Sequence, residues 1–404
     1  MPRVLRIINR FNLGGPTYNA AYLSKYLAPE FETLFVGGTI DETEGSSEFV
    51  VNNLGLKPLI IPEMRRPFNL FADHEACKRI KKIISEFKPD IIHTHASKAG
   101  ALGRLTAHKM NVPVIVHTFH GHVFDAYFDK LSSFFYINVE RYLAKISSKI
   151  IAISENQKND LCKKYKICPE EKIDVIPLGF DLCRFQENIV EKRNNFRNEY
   201  HIKKNEIAIA IIGRIVPVKN HNLFLEALKY VTERTTVNIR VFIVGDGESM
   251  INVQNKAHKL GLSYTENKNE SQKHLITFTS WIKEVDVVIS GADIIALSSL
   301  NEGTPVSLIE AQAGNKPVVS TNVGGIENVV IPNVTALLSP NNDTVAFAEN
   351  LLKVIESEKL RNKMSSKGWE FVKERFHFTR MVGDMKELYC NLLKNSNYSV
   401  SKQK

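Results

Sequence analysis

The stretch Ile207-Ala-Ile-Ala-Ile-Ile-Gly-Arg-Ile-Val-Pro-Val-Lys-Asn220 decides the fold class. Its first six residues are an uninterrupted apolar run of strand length, the pattern of a strand buried on both faces. A loop with one glycine, one proline and two cations follows, and Asn220 stands as the expected N-cap of an amphipathic helix over His221–Val231. A buried strand that passes through a short loop into a helix is the unit from which helix-covered parallel sheets are built.

The unit recurs in both directions along the chain. Downstream, Ile239–Val244, Ile276–Phe278, Ile294–Leu297, Pro317–Ser320 and Ala336–Leu338 read as strands. Upstream, Val4–Ile8, Thr33–Val36, Leu59–Ile61, Asp90–His93, Val114–Thr118, Lys149–Ile153 and Ile173–Ile176 alternate with helical patterns. From about Asp343 the pattern is helical through Phe347–Ile355, Lys359–Glu374 and Arg380–Leu393. The expected organisation is an α/β chain of two Rossmann-like, doubly wound domains facing each other across a cleft, with C-terminal helices. Residues 1–186 form the first domain, the polar stretch 187–204 a linker and residues 205–378 the second domain. Residues 379–394 form a helix that packs back on the first domain, and 395–404 a disordered tail.

Composition narrows the class. At 404 residues the chain is long for one core. With 43% apolar and 24% charged residues, and only 21 Gly and 15 Pro, it is neither disordered nor collagen-like. Its five cysteines form no Cys-x-x-Cys pair and are odd in number, which reads as reduced cytosolic thiols. No run is apolar enough to span a membrane, and the start lacks a signal-peptide pattern, so a cytoplasmic chain is expected. The net charge is +9, and Lys57–Lys109 holds 11 basic against 5 acidic residues, a local excess that suggests an anionic partner.

Ligands of such sheets bind outside the carboxyl ends of strands, so residues just after strands are the candidates for chemistry. Arg214 and Lys219 lie there, after Gly213. Two cations with nearby backbone donors suit a diphosphate and offset the charge growing on a departing phosphate without a metal. The plain alternative is a solvated strand-end Arg and Lys. The run Ile294–Leu297 leads into Ser298-Ser-Leu-Asn-Glu-Gly-Thr-Pro-Val-Ser-Leu-Ile-Glu-Ala311. Pro305 reads as the first helical residue, with the amides of Val306 and Ser307 open to an anion. Glu302 then falls in the loop, and Glu310 in the second turn leans back toward the same end. Carboxylates there suit sugar and ribose hydroxyls, although each alone reads as a surface residue.

Glu302-Gly-Thr-Pro followed by Glu310-Ala resembles the signature of the retaining, GT-B-fold glycosyltransferases of family 4, and Gly213-Arg214…Lys219 resembles that family's diphosphate-binding pair. Further landmarks follow in order: Gly14-Gly15, His93-Thr-His95…Lys98-Ala-Gly100, Thr118-Phe-His120-Gly121, Ile176-Pro-Leu-Gly179, Val244-Gly-Asp-Gly-Glu248 and Thr321-Asn-Val-Gly324-Gly325. The resemblance is closest to bacterial enzymes of surface-polysaccharide synthesis and covers Val4 to Leu393. It implies a retaining, metal-independent sugar transfer from a nucleotide-sugar donor, UDP by default, to a glycan or lipid-linked acceptor, with no cofactor. Arg214 and Lys219 then bind the diphosphate and Glu310 the ribose. Glu302 with Gly303, Thr304 and Pro305 holds the transferred sugar, and Gly14 and Gly15 close over the phosphate. His120 lies near the sugar, and Phe278-Thr-Ser-Trp281-Ile282 reads the base. The usual family account is front-face attack, in which the leaving phosphate oxygen takes the acceptor's proton. The sequence departs from the family pattern at Ser280, where Gly is usual, and at Gln312-Ala-Gly-Asn315.

Other readings compete for some residues. The pairs His93/His95 and His120/His122 suggest a metal hydrolase, against which no Asp-rich cluster follows. In the family reading His95, Lys98 and His122 line the acceptor side, and His93, His108 and His117 are packed or surface residues. A helix over Asp73–Phe87 carries Lys78, Arg79, Lys81 and Lys82 opposite its apolar stripe. It reads either as an ordinary surface helix or, with Arg65 and Arg66, as a contact for anionic lipid at the inner face of the plasma membrane. Nucleic acid is not expected, because the basic stretch lacks interleaved aromatics and no binding module is present. A nucleotide-sugar epimerase and a non-catalytic nucleotide-sugar-binding subunit remain the alternative functions.

Overall fold

The structure, a computed structural model, describes residues 1–11, 15–39, 47–65, 69–121, 130–266 and 274–396, with 48, 49 and 130–132 described in backbone alone. The chain divides into two compact units, residues 1–180 with 376–404, and residues 181–375. The first holds strands β1 (Arg3–Arg10), β2 (Glu32–Gly38), β3 (Leu59–Ile60), β4 (Ile91–His95), β5 (Val114–Thr118), β6 (Lys149–Ala152) and β7 (Ile173–Val175) in one parallel sheet of order β3-β2-β1-β4-β5-β6-β7. The second holds β8 (Ile207–Ile212), β9 (Ile239–Val244), β10 (Tyr264–Thr265), β11 (Ile276–Ser280), β12 (Ile294–Leu297), β13 (Val318–Thr321) and β14 (Ala336–Ser339), also all parallel, in the order β10-β11-β9-β8-β12-β13-β14. The direction of winding reverses between β1 and β4 in one sheet and between β8 and β12 in the other.

Both faces of the first sheet are covered. Leu5, Ile7, Ile92 and Ile115 pack against Ile80, Ile83 and Ile84 of the helix Leu70–Phe87 and Ala99 and Ala107 of the helix Ser97–Lys109. Val4, Ile91, Val114 and Val116 face the other way, onto Met381, Met385, Leu388 and Tyr389 of the helix Phe378–Asn395. That double burial is why these strands read as near-continuous apolar runs. The C-terminal helix is tied to the first unit's backbone: Arg380 donates to Pro177 O at 2.6 Å, Phe180 N to Phe376 O at 2.8 Å and Phe378 N to Phe180 O at 3.1 Å. The Ile176-Pro-Leu-Gly179 landmark is therefore where this helix docks.

The expected linker 187–204 is not one, and the boundaries at 186, 205 and 378 move accordingly. The second unit begins at Asp181, and most of the stretch is the helix Ile189–Glu199 within it. Its polar composition hides two pairs at helical spacing. Phe196 and Tyr200 both pack edge-on against Phe242 of β9, with centroids 5.1 and 5.2 Å away. Arg193 and Arg197 both reach Asp293 at the start of β12, at 2.6 and 3.1 Å, and Asp293 also accepts from Ala208 N at 2.8 Å. The expected helix Lys359–Glu374 is two helices, Glu358–Ser365 and Gly368–Phe376, and a two-residue edge strand, Tyr264–Thr265, has no counterpart in the sequence reading. Residues 397–404 of the expected tail lie outside the described residues.

Asp293 thus holds the helix Ile189–Glu199 to the second sheet through two guanidinium groups, of which Arg197 is buried. Asp293→Ala leaves Arg197 without a counter-charge in a low-dielectric setting and is expected to cost about 3–5 kcal/mol of stability. Urea unfolding of the purified variant checks this, and a loss under about 1 kcal/mol would show that the helix is held by its aromatic pair instead.

Candidate active site

In the second unit the candidate residues come from the loops after the two strands that flank the reversal of winding, where ligands of open parallel sheets bind. The loops after β8 and β12 are stitched together. Leu300 N donates to Val218 O at 2.8 Å, and Ser298 Oγ lies 3.0 Å from both Lys219 O and Asn220 O. Lys219 Nζ then meets Glu302 Oε1 at 2.5 Å, and Ser299 Oγ donates to the same oxygen at 2.6 Å. Both charged side chains are largely buried, at 20% and 11% exposure. Lys219 and Glu302 are therefore brought together as an ion pair, an arrangement the separate motifs did not disclose. Arg214, by contrast, is exposed on the same loop.

Two neighbouring glycine turns hold these loops. Gly245, at φ 144°, lies so close to the backbone that a Cβ there would stand 1.9 Å from Gly213 O. Gly324, at φ 54°, would place one 2.0 Å from Glu302 O, while Gly325 N donates to that same carbonyl at 2.8 Å. The Val244–Glu248 and Thr321–Gly325 landmarks thus fix the backbones of the Arg214 and Glu302 loops. Asn220 differs from expectation: its side chain makes no capping bond, and its own backbone takes the left-handed turn at φ 47°. Pro305 differs too, because it is the cap residue and the helix runs Val306–Ala313. Pro305 is buried, Gly303 exposed, and Thr304 and Val306 are half-buried. Trp281, 38% exposed, and Ile282 follow Ser280, whose φ of 57° is the left-handed region where glycine is the easy residue, as the departure from the family pattern foreshadows.

Glu310 lies within the helix Val306–Ala313 at 14% exposure, with Arg184 Nη2 3.5 Å from its Oε1. Burial pushes its carboxyl up to about 7, with Arg184 opposing and Asp286 adding to the rise. Asp286 is itself paired with Lys192 at 2.9 Å, and Lys192 donates to Arg184 O at 2.6 Å. Arg184 and Lys192 were not among the sequence candidates. They belong to the segment read as domain end and linker, and no motif marks them.

The first unit carries a buried polar chain at the ends of β1, β4 and β5. Arg6 Nη1 lies 3.0 Å from His93 Nδ1 and 3.2 Å from His95 Nε2, and Arg6 Nη2 donates to Tyr389 OH at 3.1 Å. Tyr389 OH is 2.6 Å from His93 Nδ1, and His93 Nε2 is 2.7 Å from Thr118 Oγ1. His95 Nδ1 meets His120 Nε2 at 2.9 Å. Burial holds His93, His95 and His117 well below the usual imidazole range, and His120 down to about 3, so all four are neutral. The sequence reading set His95 on the acceptor side of the cleft; instead it is fully buried behind His120. A guanidinium between His93 and His95 takes the lone pairs a metal would need there, which counts against a metal on that pair. Lys98 is paired with Asp73 at 2.5 Å. Gly15 opens the helix Gly15–Tyr26, while Gly14 and His122 lie outside the described residues.

Sheets of this order, with glycine-shaped loops at their switch points, are the fold of a GT-B glycosyltransferase. Residues 192–371 match the family described as Glycosyl transferases group 1, and residues 13–184 match Glycosyltransferase Family 4. The chain is 30% identical over 341 residues to the UDP-Gal:alpha-D-GlcNAc-diphosphoundecaprenol alpha-1,3-galactosyltransferase of Escherichia coli, covering 84% of this chain and 85% of that protein. It is 24% identical to the capsular polysaccharide biosynthesis glycosyltransferase CapM of Staphylococcus aureus, over 83% of this chain and 86% of that one. Among solved structures, Anabaena Alr3699/HepE in complex with UDP and glucose superposes with a TM-score of 0.79 at 16% identity, over 97% of this chain and all of that one. A Rickettsia africae glycosyltransferase gives 0.76 at 22%, over 98% and 99%. The chain belongs to glycosyltransferase family 4.

The raised acidity constant of Glu310 sets a pH test. Between its ordinary value of 4.5 and about 7, the folded chain holds a proton that the unfolded chain has released, so stability falls as pH rises through that window. The ionised form then carries a penalty of at most about 3 kcal/mol above pH 7. Glu310→Gln should raise Tm relative to wild type at pH 8 and leave it nearly unchanged at pH 5. Thermal melts with equal differences at both pH values would contradict the assignment.

Proposed function

We propose that this glycosyltransferase retains anomeric configuration and moves a sugar from a UDP-linked donor to a glycan or lipid-linked acceptor in surface-polysaccharide synthesis. The observation that carries the reading is the Lys219–Glu302 pair, which joins the loops after β8 and β12, with Arg214 exposed on the first loop and Glu310 on the helix that follows the second. In this reading the exposed Arg214 and the largely buried Lys219 stabilise the departing diphosphate without a metal, and Glu302, oriented by Lys219 and Ser299, receives hydroxyls of the transferred sugar. Glu310 accepts from the ribose hydroxyls, which compensate the cost of its ionised form, and His120 faces the sugar. The leaving phosphate oxygen accepts the acceptor's proton. The E. coli relative makes UDP-galactose and a diphosphoundecaprenol-linked N-acetylglucosamine the first substrates to try. Incubating the protein with UDP-sugars, with and without that acceptor, tests the reading. An isomerised donor without acceptor would favour an epimerase, and binding without turnover a non-catalytic subunit.

The ion pair separates the roles of the two cations. Arg214→Ala should lower kcat by roughly two to three orders of magnitude with no change in Tm, because the exposed guanidinium is not part of the pair. Lys219→Ala should lower both, because it strips a counter-charge from a buried carboxylate. Activity of wild type should persist in EDTA. Full turnover in Arg214→Ala, or loss in EDTA with rescue by Mg²⁺, would end the metal-independent account.

We infer that the protein works peripherally at an anionic membrane surface. No helix among the described residues is long and apolar enough to cross a membrane. The basic side of the helix Leu70–Phe87 is less charged than its sequence suggests, because Lys78, Arg79 and Lys82 pair with Glu75, Glu63 and Glu86. Its exposed start, Leu70 at 72% and Phe71 at 87%, supplies apolar contact instead, while Arg66 lies outside the described residues. Phe71→Ser should therefore weaken sedimentation with anionic vesicles at all salt concentrations. Salt should screen only the charge-dependent part, over about 8–10 Å at physiological ionic strength. A wild-type protein that ignores such vesicles at low salt points to a soluble acceptor.

A further inference from the structure

We propose that Arg6 and His95 are positioning residues that fix the tautomer of His120, so that His120 presents an Nδ1–H donor, and not a lone pair, to an oxygen of the bound substrate. The order of hydrogens follows from what each group is able to do. A guanidinium only donates, so His95 Nε2, 3.2 Å from Arg6 Nη1, is an acceptor. Neutral His95 then carries its proton on Nδ1, which donates to His120 Nε2 at 2.9 Å. Neutral His120 in turn keeps its proton on Nδ1. That atom is buried and has no partner among the described residues, and a buried donor left unbonded is costly unless a ligand satisfies it.

The branch through His93 is consistent with the same cation. His93 Nδ1 accepts from Arg6 and from Tyr389 OH, and its Nε2–H donates to Thr118 Oγ1. Tyr389 OH, which accepts from Arg6 Nη2, spends its own hydrogen on His93. Within the network two buried nitrogens are left without an acceptor among the described residues, Arg6 Nε and His120 Nδ1, and of these only the His120 atom stands at the end of the imidazole chain. Arg6 is fully buried, and among the described residues no carboxylate pairs with it. A carboxylate in its place would accept from His95 Nε2, reverse both imidazoles and leave His120 facing outward with a lone pair.

The substrate-facing part of this inference rests on the functional reading above; the tautomer order does not. Two-bond ¹H–¹⁵N correlation spectra of protein labelled at histidine nitrogen distinguish Nδ1–H from Nε2–H imidazoles, with His120 assigned by its loss in His120→Gln. Expected in wild type are Nδ1–H for His95 and His120 and Nε2–H for His93. His95→Leu and Arg6→Met should mix the His120 tautomers and lower kcat about tenfold to a hundredfold, with affinity for the free nucleotide diphosphate unchanged. His95→Asn, whose side-chain amide offers a donor near the position of Nδ1, should restore both the tautomer and most of the turnover. An Nε2–H His120 in wild type, or a His95→Leu variant with unchanged tautomer and turnover, overturns the relay. An Nδ1–H His120 whose resonance responds to no nucleotide sugar overturns the functional reading and with it the substrate-facing role.

Discussion

The constraint on which this molecule depends is the parallel strand. Parallel neighbours require a crossover, crossovers are right-handed, and so each sheet can wind outward in two directions only by reversing at one internal boundary. In the second unit that boundary lies between β8 and β12, and in the first between β1 and β4. At these points two adjacent loops leave the sheet toward opposite faces and open a gap that no crossover covers. Arg214, Lys219 and Glu302 sit on one such pair of loops. Gly15, His95 and Lys98 follow the strands that flank the other.

Within that frame the charges solve a conflict. A site for an anionic diphosphate needs cations, while a site for sugar and ribose needs carboxylate acceptors, and carboxylates repel phosphate. Here each carboxylate is held against a cation of its own. Glu302 is bound by Lys219, and Glu310 lies beside Arg184. The Glu302 pair is tight, with a hydroxyl on the same oxygen. The Glu310 pair is loose, and burial outweighs it, so the carboxyl there is still pushed up to about 7. Under the proposed reading, the ion pairs keep the acceptors from spoiling the anion site and hold them at fixed positions, which matters more for positioning a substrate than for stability.

The strand ends were legible in the sequence because the signals there are local: an apolar run, then glycine, then a polar residue with no packing duty. That is how Gly213, Arg214 and Lys219 stood out, whereas Glu302 and Glu310 stood out by their places before the Gly303–Pro305 turn and in the second turn of the helix after it. What was illegible depended on distance along the chain. Arg184 is 126 residues from Glu310 and Tyr389 is 383 from Arg6, and nothing local in either sequence neighbourhood announces the contact. The helix Ile189–Glu199 was missed for a different reason, since its contacts with the sheet are made by arginines and two aromatics and so lack an apolar stripe. His95 was misjudged because a histidine at a strand end looks the same whether it faces a ligand or stands behind the residue that does.

A buried arginine with neutral partners is a costly choice, since the desolvation of the guanidinium is returned only by hydrogen bonds to uncharged acceptors. A methionine of similar volume would pack between Val4 and Ile8 without that cost. What the cation gives is direction. Its field opposes protonation of His93 and His95 beyond what burial alone does, and its donors settle which nitrogen of each ring is bare. An apolar residue leaves those tautomers free, and a carboxylate would set them the other way and favour an imidazolium. Of the residues able to occupy that position in β1, only a permanent cation makes His120 both neutral and a donor. The Phe378–Asn395 helix, by bringing Tyr389 OH to the free side of the guanidinium, supplies the acceptor that lets the cation remain buried there.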